Sequence, residues 1–490
     1  MRSISIKLFV FLFLFGVVDL FSATYYIVGS TATLPDMSWG QFATQVINGN
    51  SFSNDTVVLT TDISVGNQMV GDDNNYFQGY FDGNNKKITV NISSNATNVG
   101  LFSRVGYVSG TSSSHIVHLT VDGTISGGSS STNVGGFVGN AMSPFDFFRC
   151  TNLADVSGYS NVGGIVGGST VGSTSIGGLV GLHFCVNQGS ISGRSVGGIV
   201  GSFVSAGIIV GCKNSGTIIG AGETQLYMGG IVGYLLSGHA TITNAVNIGR
   251  ILSSNSQYAG GIVGYLNLIG GFVYCTNAGI VDGATTCVGG IIGYCANTQT
   301  DVANNININF VSRGSSSYYG SIIGLNNSVR IQDCYFDNQI CPLGVGTSGV
   351  GYGRSTVQML GNNLGSPISS SSTPAQLYPL PGCMTAYTDL HPIELLAMAP
   401  MYLMNNEKVN NITTFPFYVS NYNSSPPFVP SPPAQPIEYL YQWTSFSNGT
   451  IINVPASPSN NVTKNNIGQD TLIVKIGNEP YEKVVPVNAP

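Results

Sequence analysis

The chain has 490 residues, which is too long for one compact core and predicts several domains or one elongated array of repeats. Charged residues make up only 8% of it, against roughly a quarter in an average domain. Because 42% of the residues are hydrophobic and the mean hydropathy is +0.22, the chain can bury surface that disordered chains cannot. The net charge of −6 leaves no basic surface, so we expect no nucleic-acid partner.

The N-terminus predicts export. Arg2 and Lys7 precede an apolar run of eleven residues, Leu8 to Val18, which fits a secretory signal peptide and is too short to span a bilayer at about 20 residues. We expect a signal peptide over 1–23 and no transmembrane segment after it; an uncleaved anchor is the alternative. Eight N-x-S/T sequons agree with a glycoprotein. The expected location is extracellular, either secreted or at the cell surface.

A hexamer typified by VGGIVG recurs about every 31 residues. We expect the first residues of its copies to stack in one column, with about 4.8 Å between turns. An additional copy at Ile176 follows too soon to start another turn; aligned with Ile269–Val273, it predicts the second strand of its own turn. The regular copies begin at Val134, Val162, Val196, Met228, Ala259, Val288 and Tyr319.

A second element, Cys-x-Asn-x-Gly, lies between the hexamers. It begins at Cys185, Cys212 and Cys275, and in weaker forms at Cys150 and Ala245. Its glycine and asparagine suit a turn, since both tolerate the left-handed region. Three short strands per repeat, all in one direction, predict an all-β fold: a right-handed parallel β-helix (β-solenoid) with a small C-terminal β-rich module.

The segment before the repeats predicts a cap for the open end of the solenoid. Ser38 to Gln41 form a capping-box pattern, and Phe42 and Val46 fall on one helical face with Trp39. The predicted organisation is a signal peptide over 1–23, an N-terminal cap and entry coil over 24–98, solenoid repeats over 99–345, a closing segment with a Pro-rich spacer over 346–436, and a small β-sandwich-like module over 437–490.

The hexamer series resembles the repeats of GLUG-motif proteins, which are secreted or lie at cell surfaces. The entry segment Phe77–Val90 with Asn98–Phe102 is similar to the first coil of such proteins, and Cys334–Gln339 with Arg354–Leu360 is similar to their closing segment. The resemblance implies a β-solenoid in an extracellular, adhesin-like setting, or the non-catalytic part of some immunoglobulin A metallopeptidases. It implies no shared catalytic residue.

Two short motifs suggest chemistry but have a structural explanation. Gly193 to Gly197 matches the G-x-S-x-G nucleophile motif, but Ser195 lies at a repeat boundary rather than at a strand-to-helix turn. Gly344 to Gly349 matches G-x-G-x-x-G without a following helix and predicts a loop.

The acids, bases and histidines of the repeats lie at different offsets, which predicts no His–acid pair. His115 and His118 are expected on opposite sides of a strand. Asp72, Asp73 and Asp82 predict turns, with a calcium loop as the alternative. We therefore predict no catalytic residue, no cofactor and no metal ligand.

The cysteines of the second element are expected to form a buried, reduced ladder, because stacked Cβ atoms about 4.8 Å apart are too distant for a disulfide. A disulfide between Cys334 and Cys341 is a separate possibility.

These observations favour a non-catalytic extracellular protein, an adhesin-like or contact module presented on a solenoid, whose ligand is an extracellular glycan or protein. The alternatives are an accessory or catalytic part of a secreted glycan-acting enzyme and a structural coat or matrix protein. A charged or aromatic stripe along one face would favour binding, whereas a carboxylate cluster in a groove would favour the enzyme.

Overall fold

The structure is a computed structural model that describes most of the chain between residues 23 and 368, together with separate C-terminal strands. The predicted signal peptide before residue 23, the G-x-G-x-x-G segment and the Pro-rich spacer lie outside the described residues. The described ranges are 23–28, 36–106, 114–142, 144–170, 180–221, 226–252, 256–284, 286–296, 299–314, 316–327, 329–338, 340–341, 351–368, 378–379, 401–403, 414–417, 419–421, 439–445, 451–454, 460–463, 470–476 and 482–487.

The chain is nearly all β, and its parallel strands form a solenoid of about nine turns, which confirms the predicted fold class. One turn cannot bury its apolar side chains alone, so each turn stacks on the next and the core runs continuously along the axis. A full turn in the repeat region contains five short strands rather than the three expected. Each pairs in parallel with its counterpart in the next turn, which produces five stacks.

Each hexamer begins in a strand of the first stack and ends in a strand of the second. The first consists of Asn98–Val99, Asn133–Gly135, Asn161–Gly163, Ser195–Gly197, Tyr227–Gly229, Tyr258–Gly260, Cys287–Gly289 and Tyr318–Gly320. The second consists of Phe102–Val105, Val138–Met142, Val166–Thr170, Val200–Phe203, Ile292–Cys295, Ile323–Asn326 and the first parts of Val232–Thr243 and Val263–Val273.

The third, fourth and fifth stacks complete each turn, and the long strands Tyr80–Ser94 and Ser114–Gly127 each run from the third stack into the fifth. The third also contains Thr24–Ile27, Thr56–Leu59, Phe145–Phe148, Val180–His183, Gly207–Val210, the ends of Val232–Thr243 and Val263–Val273, Thr300–Ala303 and Arg330–Gln332. The fourth contains Ile63–Gly66, Thr151–Asn152, Val186–Asn187, Lys213–Asn214, Val246–Asn247, Thr276–Asn277, Ile306–Asn307, Tyr335–Asp337 and Tyr352–Arg354. The fifth contains Asp155–Ser157, Ile191–Gly193, Ile218–Gly220, Ile251–Leu252, Val281–Ala284 and Val311–Gly314.

The predicted hexamer column is confirmed. Its members pair in register from one turn to the next, and those from Val134 to Val288 have no exposed surface. The column continues to Val99 before Val134 and to Tyr319 after Val288. Burying one such aliphatic side chain contributes about 1.5–3 kcal/mol.

The segment after Ile176 belongs to the third stack, as expected, but its predicted alignment is three residues out. His183, not Val180, pairs with Val210, whose partners in later turns are Thr243 and Val273. Ile176 itself lies outside the described residues.

The glycine of the Cys-x-Asn-x-Gly element permits close approach of two turns rather than a left-handed turn. A Cβ placed on Gly216 or Gly249 would lie 1.9 or 2.0 Å from a carbonyl oxygen of the preceding turn. The left-handed residue is instead the one before the cysteine column, so the strand expected to end at the cysteine ends before this residue, and a separate strand of the fourth stack follows the cysteine. The residues at this position are Arg149, Phe184, Gly211, Asn244, Tyr274 and Asn304, all with φ between 51° and 65°.

The asparagine of the same element forms a buried ladder, which we call the asparagine ladder. Each side-chain Nδ2 donates to the carbonyl two residues further along its own turn, and all but the last also donate to the Oδ1 of the asparagine in the next turn, at 2.7–2.9 Å. The amides therefore satisfy one another inside the core, where unpaired polar groups are rare; among the described residues, the Oδ1 of the first member, Asn152, is the exception in the ladder. The members are Asn152, Asn187, Asn214, Asn247, Asn277 and Asn307, all fully or almost fully buried.

The cysteine column is also confirmed. Cys150, Cys185, Cys212 and Cys275 are buried with free thiols. The suggested disulfide between Cys334 and Cys341 is wrong for this structure: both thiols are free, and the Ser321 hydroxyl lies 3.1 Å from the Cys341 sulfur. Burial raises the pKa of Cys334 to about 11, so it is a neutral thiol.

Both ends of the solenoid are covered. At the first turn the helix Trp39–Ile47 begins with the predicted capping box of Ser38 and Gln41 and buries Trp39, Phe42 and Val46. Trp39 packs edge-on against Phe81, with ring centres 6.2 Å apart. The short strand Asp36–Met37 precedes this helix and pairs with Thr24–Ile27.

After the last turn, the short helix Thr356–Met359 begins with a second capping box, formed by Ser355 and Gln358. The buried Tyr378 donates to a carboxylate oxygen of Asp337. These contacts attach the closing segment to the final strands.

The C-terminal strands are antiparallel, which agrees with the predicted β-rich module. One sheet contains Ile451–Val454, Tyr439–Ser445, Asp470–Ile476 and Glu482–Val487. Two further pairs are Met401–Leu403 with Val419–Asn421 and Thr414–Phe417 with Asn460–Thr463. Within the described ranges, no helix is long and apolar enough to cross a membrane.

Substituting Gly249 tests the close approach of the turns. We expect Gly249→Ala to lower the free energy of unfolding by about 3 kcal/mol, because the new Cβ would collide with the Gly216 carbonyl oxygen. Gly271→Ala is the matched control, since its Cβ would meet nothing closer than 3.9 Å. Urea unfolding followed by circular dichroism compares the two variants, and equal midpoints would contradict the prediction.

Candidate functional site

The hexamer bends the chain between the first and second stacks, and we call this bend the glycine corner. Its glycines allow the two strands to approach closely: a Cβ on Gly229 would lie 2.0 Å from the Val232 carbonyl oxygen. The residue before the hexamer and the residue after it therefore both lie on the outside of the bend. Tyr227 and Tyr234 hold these two positions in one turn, and their ring centres are 5.0 Å apart.

In-register stacking repeats these two positions along the axis as two facing corner columns. Amide side chains predominate in the first turns and tyrosines in the later ones. The column before the hexamer contains Asn98, Asn133, Asn161, Ser195, Tyr227, Tyr258, Cys287 and Tyr318. The column after it contains Arg104, Asn140, Gly168, Ser202, Tyr234, Tyr265, Tyr294 and Leu325.

Five half-buried tyrosines of the corner columns form one continuous cluster, the tyrosine patch. Rings in neighbouring turns stack, with centres 5.6 Å apart for one pair and 5.0 Å for another, and rings of opposite columns also touch. Because the rings hold one another, little side-chain freedom remains to be lost when a partner binds. The members are Tyr227, Tyr234, Tyr258, Tyr265 and Tyr294.

The amide part of the corner columns forms a second hydrogen-bonded row. Asn161 donates to Asn133, Asn133 donates to Asn98, and Asn98 donates to a carboxylate oxygen of Asp73. Arg104 donates to the backbone carbonyl of the same Asp73. The corner therefore presents amide and guanidinium groups at one end and phenol groups at the other.

The acidic residues of the entry segment accept hydrogen bonds within turns, as the predicted turns require. Asp72 accepts hydrogen bonds from the backbone N–H groups of Asn74 and Asn75. Asp82 accepts one from the N–H of Asn84. In the part of the chain that the structure describes, no group of three or more His, Cys, Asp or Glu side chains is placed to hold a metal ion.

The expectation that the repeats contain no His–acid pair is wrong. On the outside of the third stack the Asp146 carboxylate lies between two imidazoles, 3.7 Å from His115 Nδ1 and 4.0 Å from His183 Nε2. Each of the three side chains is about a third exposed, at 28–36%. Gly181 makes the room, because a Cβ there would lie 2.1 Å from an Asp146 oxygen. We call His115, Asp146 and His183 the His–Asp cluster.

Partial burial raises the pKa of the Asp146 carboxyl, although both imidazoles act in the opposite direction. A carboxyl group with a raised pKa beside two histidines is a set that general acid–base chemistry uses. The cluster is therefore a second candidate site.

His115 and His118 do not lie on opposite sides of their strand: both are partly exposed. His118 has a φ of 50°, which interrupts the alternation of side chains. The two histidines still do not share a site, because His118 lies 3.6 Å from Asp82 whereas His115 lies beside Asp146. Ser195 of the G-x-S-x-G motif lies in a strand of the first stack, as the structural explanation predicts.

Comparison with known protein families, with curated proteins and with solved structures finds no match for this chain. The resemblance to GLUG-motif proteins therefore stays a prediction.

The tyrosine patch predicts a distinct response to alkaline pH. Burial raises the pKa values of Tyr227, Tyr234, Tyr258 and Tyr265 above 10.0, mainly because it disfavours the phenolate. Their contribution to stability is therefore complete below the ordinary tyrosine pKa of about 10 and is lost as the pH rises through the raised values.

We expect phenolate absorbance to rise at higher pH in the native protein than in the denatured protein, and a variant with phenylalanine at these four positions to lose part of that late phase. The remainder comes from Tyr76, Tyr80 and Tyr335, whose pKa values burial also raises. Superimposable native and denatured titrations would rule out the effect.

Proposed function

We propose that the chain is a non-catalytic extracellular contact protein, adhesin-like in role, which binds a glycan along the glycine corner. The tyrosine patch is the observation that carries this proposal. Three consecutive turns place half-buried rings on the outside of the solenoid, where the core does not require them. Tyrosine combines a large apolar body with a polar end, and it is the kind of side chain that dominates binding surfaces.

The chemistry of the corner suits a neutral, hydroxyl-rich and elongated ligand. Phenol and amide groups donate and accept hydrogen bonds, and the aromatic rings offer apolar surface beside them. These groups repeat along the axis at about 4.8 Å, so the surface can follow a linear polymer over several turns. The net charge of −6 on a chain with few charged residues argues against a strongly anionic ligand.

An extracellular setting is part of the proposal and rests on the sequence. The apolar N-terminal run and the resemblance to GLUG-motif proteins support it. Three sequons in the described region are accessible, because Asn54, Asn91 and Asn95 are exposed, whereas Asn326 is buried. We therefore expect glycosylation at the first three and not at Asn326.

A glycan screen with matched variants tests the proposal. We expect the purified protein to bind at least one polysaccharide, and the double variant Tyr227→Ala with Tyr265→Ala to weaken that binding at least tenfold, in line with the loss of about 1.4 kcal/mol or more at a binding hot spot. Tyr26→Ala is the control, because Tyr26 is 39% exposed at the N-terminal end of the solenoid, away from the corner. Binding that is equally weakened by Tyr26→Ala, or unchanged in the double variant, would contradict the proposal.

A second candidate function, a glycan-acting enzyme, is favoured by the His–Asp cluster. General acid–base catalysis needs groups within hydrogen-bond reach of one substrate, and Asp146 with its two imidazoles supplies such a set on a partly exposed face. The binding proposal ranks first because the tyrosine patch contains five side chains, whereas this cluster contains three, although each spans three turns.

Turnover decides between the two functions. We expect no cleavage of any polysaccharide by the purified protein. If cleavage is found, Asp146→Asn should reduce it about 100-fold or more, while Asp301→Asn should leave it unchanged. Asp301 is the matched control because it lies in the same stack as Asp146, at the equivalent position five turns later. That pattern of loss would replace the binding proposal with the enzyme.

A further inference from the structure

The tyrosine patch has a geometry that matters for oxidation as well as for binding. Tyr227 and Tyr234 have ring centres 5.0 Å apart and ring planes inclined at 48°. They are half-buried, so part of each ring meets solvent. The two residues stand on strands held together by the glycine corner, which fixes their separation.

We infer that Tyr227 and Tyr234 form a site of oxidative cross-linking, where a haem peroxidase with hydrogen peroxide joins the two rings as dityrosine. A bond between two phenol rings at the carbons beside the oxygen keeps the rings twisted, because the groups next to the bond collide when the rings are coplanar. The 48° inclination is already such a twist. Stacked neighbours, such as Tyr227 and Tyr258 at 12°, would have to slide and turn first.

The reaction balances without any group held by the protein. Each phenol loses one electron and one proton from its O–H, and the two radicals form one carbon–carbon bond. Each bonded ring carbon then releases its hydrogen as a proton, and each oxygen takes up a proton, which restores both phenols. The pair therefore loses two hydrogen atoms overall. One molecule of hydrogen peroxide accepts these two electrons and two protons and becomes two molecules of water.

The distances between ring centres favour this pair within the patch. Tyr234 and Tyr265 are also 5.0 Å apart, but their rings are stacked at 25°. The other inclined pairs, Tyr227 with Tyr265, Tyr258 with Tyr265 and Tyr265 with Tyr294, have ring centres 5.4–5.8 Å apart.

The cross-link would close the glycine corner covalently at one turn. It requires no ligand, so the inference stands or fails independently of glycan binding.

Peptide mapping after oxidation tests the inference directly. Trypsin cleaves after Lys213 and Arg250, with no Lys or Arg between them, so Tyr227 and Tyr234 fall within one peptide. We expect treatment of the folded protein with peroxidase and hydrogen peroxide to give dityrosine fluorescence at monomer mass and a 214–250 peptide lighter by two hydrogen atoms. Tyr258, Tyr265 and Tyr294 lie in the following peptide, 251–313, so coupling to any of them would join two peptides.

Phenylalanine variants supply the controls, because they keep the ring and remove only the phenol O–H. Tyr234→Phe should abolish the lighter 214–250 peptide, and Tyr26→Phe should leave it. The inference is overturned if the cross-link joins the two peptides, if dityrosine appears only in dimers or larger species, or if no dityrosine forms under conditions that couple free tyrosine.

Discussion

A buried chain of amide hydrogen bonds fixes how each turn sits on the next. In the asparagine ladder every amide is held twice, once by the neighbouring turn and once by its own backbone. Such a bond contributes about 1 kcal/mol when it is made, but a buried amide left without its partner costs about 1–3 kcal/mol. A slip of one residue would leave several amides unpaired at once, so the ladder selects a single register for the whole solenoid. The apolar columns alone would select it less strictly, because one aliphatic residue packs much like another.

This single register turns every outward position into a column. When three consecutive turns have the same residue at one outward position, its side chains form a continuous row, as the tyrosines of the glycine corner do. The corner adds a second effect, because its glycines bring two such columns face to face. The chemistry of the surface therefore depends on the side chains of the outward positions, while stability depends on the inward ones. The two properties can change separately within the same fold.

The repeat made the fold predictable, since the hexamer spacing gives the stacking column and the capping box gives the helix at Trp39–Ile47. The sequence also identifies the members of one corner column, because they are the residues immediately before each hexamer. It does not show that a second column faces the first, since nothing in the spacing indicates that the chain bends at the glycines. The number of strands per turn was missed for the same reason and because a left-handed residue, such as Phe184, has no sequence preference that marks it.

The His–Asp cluster was not predicted because its members are not separated by a constant number of residues. His115 and Asp146 are 31 residues apart, one period, but His183 follows Asp146 by 37. Gly181, the residue opposite Asp146 in the next turn, already follows it by 35 residues, and His183 lies two residues beyond Gly181. The missing side chain at Gly181 was the one local signal, and its meaning depends on knowing which residues lie in the turns on either side.

Consecutive asparagines of the ladder are separated by 27 to 35 residues in sequence, although each step along the axis is the same. The number of residues in a turn can thus vary in the connections between stacks, while the hydrogen bonds of the ladder keep the same geometry. A gene encoding such a protein can gain or lose residues in these connections, or duplicate a whole asparagine-to-asparagine unit, without losing the alignment of the remainder. Lineages that diverge in this way would keep the asparagine ladder and differ in the loops and in the number of turns, so that the length of the corner columns becomes an inherited variable.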